Sequence, residues 1–309
     1  MSFFINGLRA KVMSTELIIE ANLSKKILFE ALAIAREFEE KYSAYKESSL
    51  LSQINRASGE KSIYASKKEL EIFQKAMEIA EISDGLFDPT IGVLTQGSYG
   101  FGTQKAKIPS SKELEKKKQL VNYKDILLTE ESIFLQKKGM RLDLGGIGKG
   151  YVADLLLDFL RSQGATKILL SVGGEIVTLG KVYAIAIKNP FAEGNIGIIR
   201  SSKELLSIST SGDYERYIGS KKNHHILDKS SAKQNHFYSS ITILKNGSCA
   251  TELDGIATVA FNSELPALKK IAKQFQVAII AITADKEIYF ENFSNLQLKS
   301  FEIYPFTTS

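Results

Sequence analysis

Eight consecutive residues near the middle of the chain, Asp143-Leu144-Gly145-Gly146-Ile147-Gly148-Lys149-Gly150, constrain it more than any other stretch. Four glycines in that space weaken both helix and strand, so the run reads as a turn in which backbone comes close to a neighbour or a ligand. From Met140 the chain reads as a strand entering the turn. After it, Val152, Leu155, Leu156, Phe159 and Leu160 form one apolar face of a helix that should stop by Gly164. A glycine turn feeding a helix presents free N–H groups and the positive end of the helix dipole, and Lys149 adds a full charge. A phosphate or pyrophosphate suits such a turn; a plain joint between strand and helix is the alternative.

Spacing excludes two common nucleotide loops. A Walker A loop needs Ser or Thr after its Gly-Lys pair and a glycine where Asp143 stands, and Gly150 follows Lys149 here. A dinucleotide fingerprint starting at Gly146 would need Gly or Ala at Tyr151.

Around this run the chain alternates between patterns without a repeat or a Pro/Gly-rich linker, and residues 1–309 read as one α+β unit. Ile27, Leu28, Ala31, Leu32, Ala35 and Phe38 predict a helix after Ser24. Ser66 and Glu69 form a capping box before Leu70, Phe73, Met77 and Ala80, in a helix expected to end at Asp84-Gly85. Residues 97–109 read as a loop, 112–119 as a short helix and 265–275 as a helix. Strands are expected at 17–19, 126–128, 133–136, 167–172, 182–187, 196–199, 205–209, 240–244, 277–283 and 288–290.

Composition narrows the chemistry. One cysteine, Cys249, rules out an internal disulfide framework and a Cys-based zinc site. The formal charge of +5 is spread in pairs and triplets such as Lys116-Lys117-Lys118, which reads as solvated faces and not as a nucleic-acid patch. No apolar run approaches the roughly 18–20 residues needed to span a bilayer. The N-terminal segment from Met1 to Gly7 shows no leader, which predicts a cytoplasmic protein if the chain is full length, with a periplasmic protein after leader removal as the alternative.

Three further motifs carry candidate chemistry. Asp84-Gly85-Leu86-Phe87-Asp88-Pro89-Thr90 joins a helix end to a turn, and is as compatible with a cap as with a site. In Thr251–Thr258, Asp254 and Thr258 share a face if the segment is helical, two hard oxygen ligands suited to Mg²⁺; Asp254 as a helix N-cap is the bland alternative. His224-His225-Ile226-Leu227-Asp228 offers an imidazole base with a carboxylate to orient it, or an ordinary surface turn.

Taken in order, these motifs resemble the ApbE family of FAD:protein FMN transferases over about residues 12–262. Met13-Ser14-Thr15 is similar to an early Met-Gly-Thr, Ser43-Ala44-Tyr45 and Ser48–Asn55 to a segment ending in Ile-Asn, and Asp84–Gly92 to Asp-Gly-x-Phe-Asp-Pro-Thr. Asp143–Tyr151, Ser171–Glu175, Ser209–Tyr214, His225–Asp228 and Asp254–Thr258 supply the rest.

The resemblance implies a single α+β unit with mixed sheets and FAD in a central cleft. It implies Mg²⁺ held by Asp254, Thr258 and the carbonyl of Gly148, and Lys149 on phosphate. Met13, Tyr45, Asn55, Asp84 and Glu175 would line the cofactor pocket, with His225 and Asp228 as the catalytic pair. It further implies transfer of FMN from FAD to a threonine of an acceptor protein bearing a Ser/Thr-Gly-Ala-Thr motif, with AMP released. A pyrophosphatase using water, or an FAD-binding protein without chemistry, would share the pocket. Ser14 stands where the family has glycine, and Lys229 and Ala232 where it has Pro and Gly after the His-Ile-x-Asp run. The shape of that last turn therefore does not follow from the resemblance.

Overall fold

The computed structural model describes residues 4–304 and 306; residues 1–3, the start of the segment read for a leader, lie outside the described residues. The chain divides into two compact units: one takes the chain up to Arg36, Lys149–Gly212 and the chain from Phe237 on, the other Glu37–Gly148 and Asp213–His236. The structure is α+β, and its named strand ladders are antiparallel.

The first unit is built on an eight-stranded sheet ordered Asn6–Val12, Thr15–Ala21, Ile168–Val172, Glu175–Leu179, Leu206–Gly212, Tyr238–Asn246, Ala278–Thr283, Ile288–Glu291. The central strand Tyr238–Asn246 is buried continuously from Tyr238 to Leu244, because both faces of the sheet are covered. On one face Ile208, Leu244, Ile280 and Ile282 pack with Ile185, Ile187, Ile196 and Ile199 of a three-stranded sheet, Ala184–Lys188, Asn195–Ser201 and Leu298–Ile303. The helix Ala250–Phe261 lies against Leu206–Gly212 and Tyr238–Asn246. The helix Gly148–Ser162 buries Val152, Ala153, Leu156, Leu157 and Leu160, leaving Leu155 and Phe159 half-buried. Its core face is thus rotated from the expected one; with Leu155, Leu156 and Leu157 in a row, periodicity alone does not choose the face.

Thr15–Ala21 contains the expected strand 17–19 and pairs with Asn6–Val12 through a two-residue loop, Met13-Ser14. Both residues take left-handed backbone, φ 54° and 62°. Positive φ at both positions is what a type I′ turn between twisted strands demands. Ser14 meets that demand with a Cβ where the family has glycine.

In the second unit, Lys67–Ile82 begins with the expected capping box at Ser66 and Glu69. It stops at Ser83, after which Asp84 and Gly85 turn left-handed at φ 52° and 73°. The segment entering the glycine turn is not the expected strand. Arg141 makes only an isolated bridge to Ile91. The backbone of Leu142 is paired with a side chain: its N–H donates to Asn55 Oδ1 at 2.7 Å and its carbonyl accepts from Asn55 Nδ2 at 3.0 Å. With both groups satisfied there is no ladder to extend. Asn55 is delivered by the helix Leu50–Arg56, capped by Ser49, which the sequence patterns above do not anticipate.

Replacing Ser14 with Gly should stabilise the protein by about 0.5–1 kcal/mol, since relief of roughly 1–2 kcal/mol of left-handed strain exceeds the added chain entropy. Urea unfolding of Ser14→Gly and the parent chain measures this.

Candidate active site

Two helix N-termini meet in the first unit. Gly148–Ser162, the lysine helix, starts at the glycine turn; Ala250–Phe261, the aspartate helix, starts after Cys249. Each supplies a carboxylate to the other. Asp254 Oδ2 accepts the N–H of Gly150 at 3.0 Å. Asp154 accepts the N–H groups of Ala250 and Thr251 at 3.1 and 2.8 Å and the Thr251 hydroxyl at 2.6 Å. Orphan N–H groups at helix starts are satisfied best by such acceptors. The approach is close enough that a Cβ on Gly150 would collide with the carbonyl of Ala250. The N-cap of the aspartate helix is Cys249, so Asp254 is an interior residue whose side chain reaches out of its own helix, and the N-cap alternative does not hold.

Lys149 occupies the centre of this junction. Its ammonium lies 2.9 Å from Glu175 Oε1 and 3.0 and 3.2 Å from the two oxygens of Asp254. Glu175 is fully buried and Asp254 is 2% exposed. Burial alone would lower the lysine's pKa, but the carboxylates of Asp254 and Glu175 outweigh it and hold Lys149 above the ordinary range. Burial pushes Glu175 up and the neighbouring Asp254 adds to it, against the pull of Lys149. Two carboxylates facing one ammonium leave a surplus of acceptor oxygens. Thr258, one turn beyond Asp254, points its hydroxyl back to the Asp254 carbonyl at 3.4 Å, placing a second hard oxygen on that helix face. Met13 is half-buried in its hairpin turn, which lies beside the Gly173-Gly174 turn before Glu175: Gly173 N–H donates to Glu16 O at 3.0 Å.

The other site residues belong to the second unit. The glycine turn is shaped by Asp143, whose carboxylate accepts the Gly145 N–H at 2.8 Å and the Thr95 hydroxyl at 2.5 Å. Gly148 closes it, its N–H donating to Leu144 O at 2.8 Å. Asn55 acts on the same turn through Leu142, as described above. Tyr45 is 48% exposed; its hydroxyl donates to Phe101 O at 3.0 Å and accepts from Arg216 Nη1 at 3.4 Å, so the ring is tethered at its tip. Asp84 is an exposed turn residue after its helix.

His225 is oriented by main chain. Both its N–H and its Nδ1 meet the carbonyl of Arg216, at 3.0 and 3.2 Å. A carbonyl accepts, so Nδ1 carries the proton and the lone pair of the neutral ring is on Nε2. The carboxylate of Asp228, expected to do the orienting, is taken up in its own turn by Ser230 and Ser231, with Ser230 Oγ at 2.7 Å and Ser230 N–H at 2.9 Å. Burial would raise Asp228, yet these donors outweigh it and hold its carboxyl below the ordinary range. Asp228 thus builds the loop after His225. Ala232 in that loop keeps left-handed backbone, φ 57°, at the family's glycine position, its methyl buried among Leu94, Tyr99, Phe101, Leu114 and Leu227.

The structure brings Lys149, Glu175 and Asp254 together, and attaches Tyr45 and His225 to Arg216. Asp154 and Arg216 are absent from the sequence reading. Asp154 lies one helical turn after Gly150, and Arg216 two residues beyond the Ser209–Tyr214 motif; their partners are distant in sequence or main chain, so neither has a local signature.

The sequence profile of the ApbE family matches residues 12–282. This chain belongs to the ApbE family. It is 33% identical over 227 residues to an FAD:protein FMN transferase of Klebsiella pneumoniae, covering 72% of this chain and 70% of that one. An FAD:protein FMN transferase of Vibrio cholerae is 26% identical over 90% of this chain and 85% of its own length. The ApbE protein of Thermotoga maritima superposes with TM-score 0.86 at 25% identity, over 95% of this chain and 99% of that one. Among the described residues, no helix is long and apolar enough to cross a membrane.

His224, beside the candidate base, gives a pH prediction. It is 1% exposed, and burial pushes its pKa down to about 4 from an ordinary 6.5. Between those values the unfolded chain binds the proton and the folded one does not, so stability should fall as pH drops from 6.5 to 4, by about 3 kcal/mol. Urea midpoints across that window should flatten in His224→Gln relative to the parent.

Proposed function

We propose that this chain is an FAD:protein FMN transferase that cleaves FAD in the presence of Mg²⁺, attaches FMN to a threonine of an acceptor protein and releases AMP. The observation that carries the reading is the buried Lys149–Glu175–Asp254 cluster at the paired helix starts, in a chain of this family whose relatives bear that name.

The residues present fit a divalent cation. Asp254 and Thr258 offer hard oxygens on one helix face, the cluster has more carboxylate than ammonium, and the carbonyl of Gly148 completes the proposed protein ligands. The cation would offset charge on the pyrophosphate. Lys149 adds its ammonium to the same task, which requires it to exchange a carboxylate for a phosphate oxygen. Met13 and Glu175 of the first unit and Asn55, Asp84 and Tyr45 of the second are the residues proposed to serve FAD, Asn55 by fixing the glycine turn and Tyr45 through its exposed ring as a stacking surface.

His225 is the base. With Nδ1–H held by Arg216 O, Nε2 takes the proton from the acceptor threonine. The threonine oxygen then bonds to the FMN-side phosphorus, the bond from that phosphorus to the bridging oxygen breaks, and AMP departs with that oxygen. The acceptor is read as a protein carrying a Ser/Thr-Gly-Ala-Thr motif.

Incubation with FAD and Mg²⁺, with and without such an acceptor domain, tests this. AMP should appear only with acceptor, alongside an acceptor mass gain equal to FMN. Asp254→Ala should lower the rate by about 10²–10³-fold. Free FMN and AMP without labelled acceptor would make water the nucleophile, and no AMP at all would leave binding alone.

A further inference from the structure

Lys229 departs from the family's pattern directly after the His225–Asp228 run, and its surroundings give it a task. Its ammonium lies 3.3 Å from Oδ2 of Asp88, a carboxylate whose side chain is 1% exposed. That oxygen also accepts the Tyr123 N–H at 3.1 Å, while Oδ1 accepts the Thr90 N–H at 3.0 Å and hydroxyl at 2.6 Å. The Tyr123 ring centre is 5.9 Å from the ammonium, within cation–π range. Gly85, at φ 73°, closes the cage, since a Cβ there would collide with Nζ. The end of this one side chain thus sits against the Asp84–Thr90 turn, which Thr90 and Tyr123 also hold through Asp88.

The hairpin that follows His225 is held on one side by Leu227 and Ala232 in the apolar cluster with Leu94 and Tyr99, and Lys229 fastens its turn. It has two residues per strand, Leu227 paired with Gln234 and Asp228 with Lys233. A ladder that short does not hold its position unaided. The proline of the family would stiffen the turn through its ring; this chain has no proline there.

We propose that Lys229 is a positioning residue: by pairing with buried Asp88 it fastens the 227–234 hairpin to the Asp84–Thr90 turn and so fixes His225 for proton removal. This rests on the reading of His225 as the base. Lys229 acts through the loop and not on FAD, so its loss should move turnover and leave FAD recognition alone. Asp88 keeps three other hydrogen bonds when Lys229 is neutralised, so the turn itself should still fold.

The test compares the full chain with Lys229→Met and Lys229→Arg, measuring FMN transfer to the acceptor domain and amide hydrogen exchange over residues 225–234. Lys229→Met should lower kcat about tenfold or more, with KM for FAD within about twofold, because a displaced base costs rate and not ground-state binding. Exchange over the hairpin should accelerate in the same variant, and Lys229→Arg should restore both. Unchanged exchange in Lys229→Met, or an Arg variant as impaired as the Met one, would overturn the proposal. If the parent chain transferred no FMN, the functional reading would fail, while the exchange comparison would still decide what Lys229 holds.

Discussion

The first unit depends on an exchange of carboxylates between two helix starts. Asp154 on the lysine helix caps the aspartate helix, and Asp254 on the aspartate helix caps the lysine helix. Each contact satisfies N–H groups that a helix start leaves unpaired, and each places negative charge at a positive dipole end. Because the arrangement is reciprocal, neither helix can slide without breaking both caps. Gly150 makes it possible, since a side chain there would meet Ala250 backbone. The glycine that looks from sequence like an opening for phosphate is an opening for a second helix.

That junction sets the electrostatics around it. Asp254 arrives already holding one N–H, and Lys149 is drawn to it and to Glu175. An ammonium between two buried carboxyl groups is well compensated, and burial first, then the neighbouring Asp254, raises the Glu175 pKa against the pull of Lys149. A site in this condition accommodates an added cation more easily than an added anion. On the proposed function, a cation and Lys149 would share the task of meeting the pyrophosphate, and Lys149 would exchange a carboxylate for a phosphate oxygen.

Legibility in the sequence followed the range of each interaction. The helix Lys67–Ile82 and its stop at Asp84-Gly85 were readable because capping box, apolar face and left-handed exit all lie within its own residues. The interior position of Asp254, its pairing with Lys149 105 residues away and the capping role of Asp154 were not, since each is made by chain folding back from afar. The expected strand before the glycine turn failed for a similar reason: Asn55, 87 residues distant, satisfies the backbone a strand would have used. Asp228 lies close to His225 in the sequence, yet Ser230 and Ser231 are closer still and take its carboxylate. At Ser14 and Ala232 the residue types argued against the glycine turns of the family, and the backbone kept the left-handed shape regardless. Tertiary constraint overrides single-residue preference when the strain is only about 1–2 kcal/mol.

The central claim is that the oxygens gathered around Asp254 bind a cation that works together with FAD. Calorimetric titration of FAD into the protein, with and without Mg²⁺, tests it directly when repeated on Asp254→Asn. The account predicts that Mg²⁺ tightens FAD binding by about tenfold or more in the parent chain and leaves it unchanged in the variant. Equal tightening in both proteins would contradict it and place the cation elsewhere.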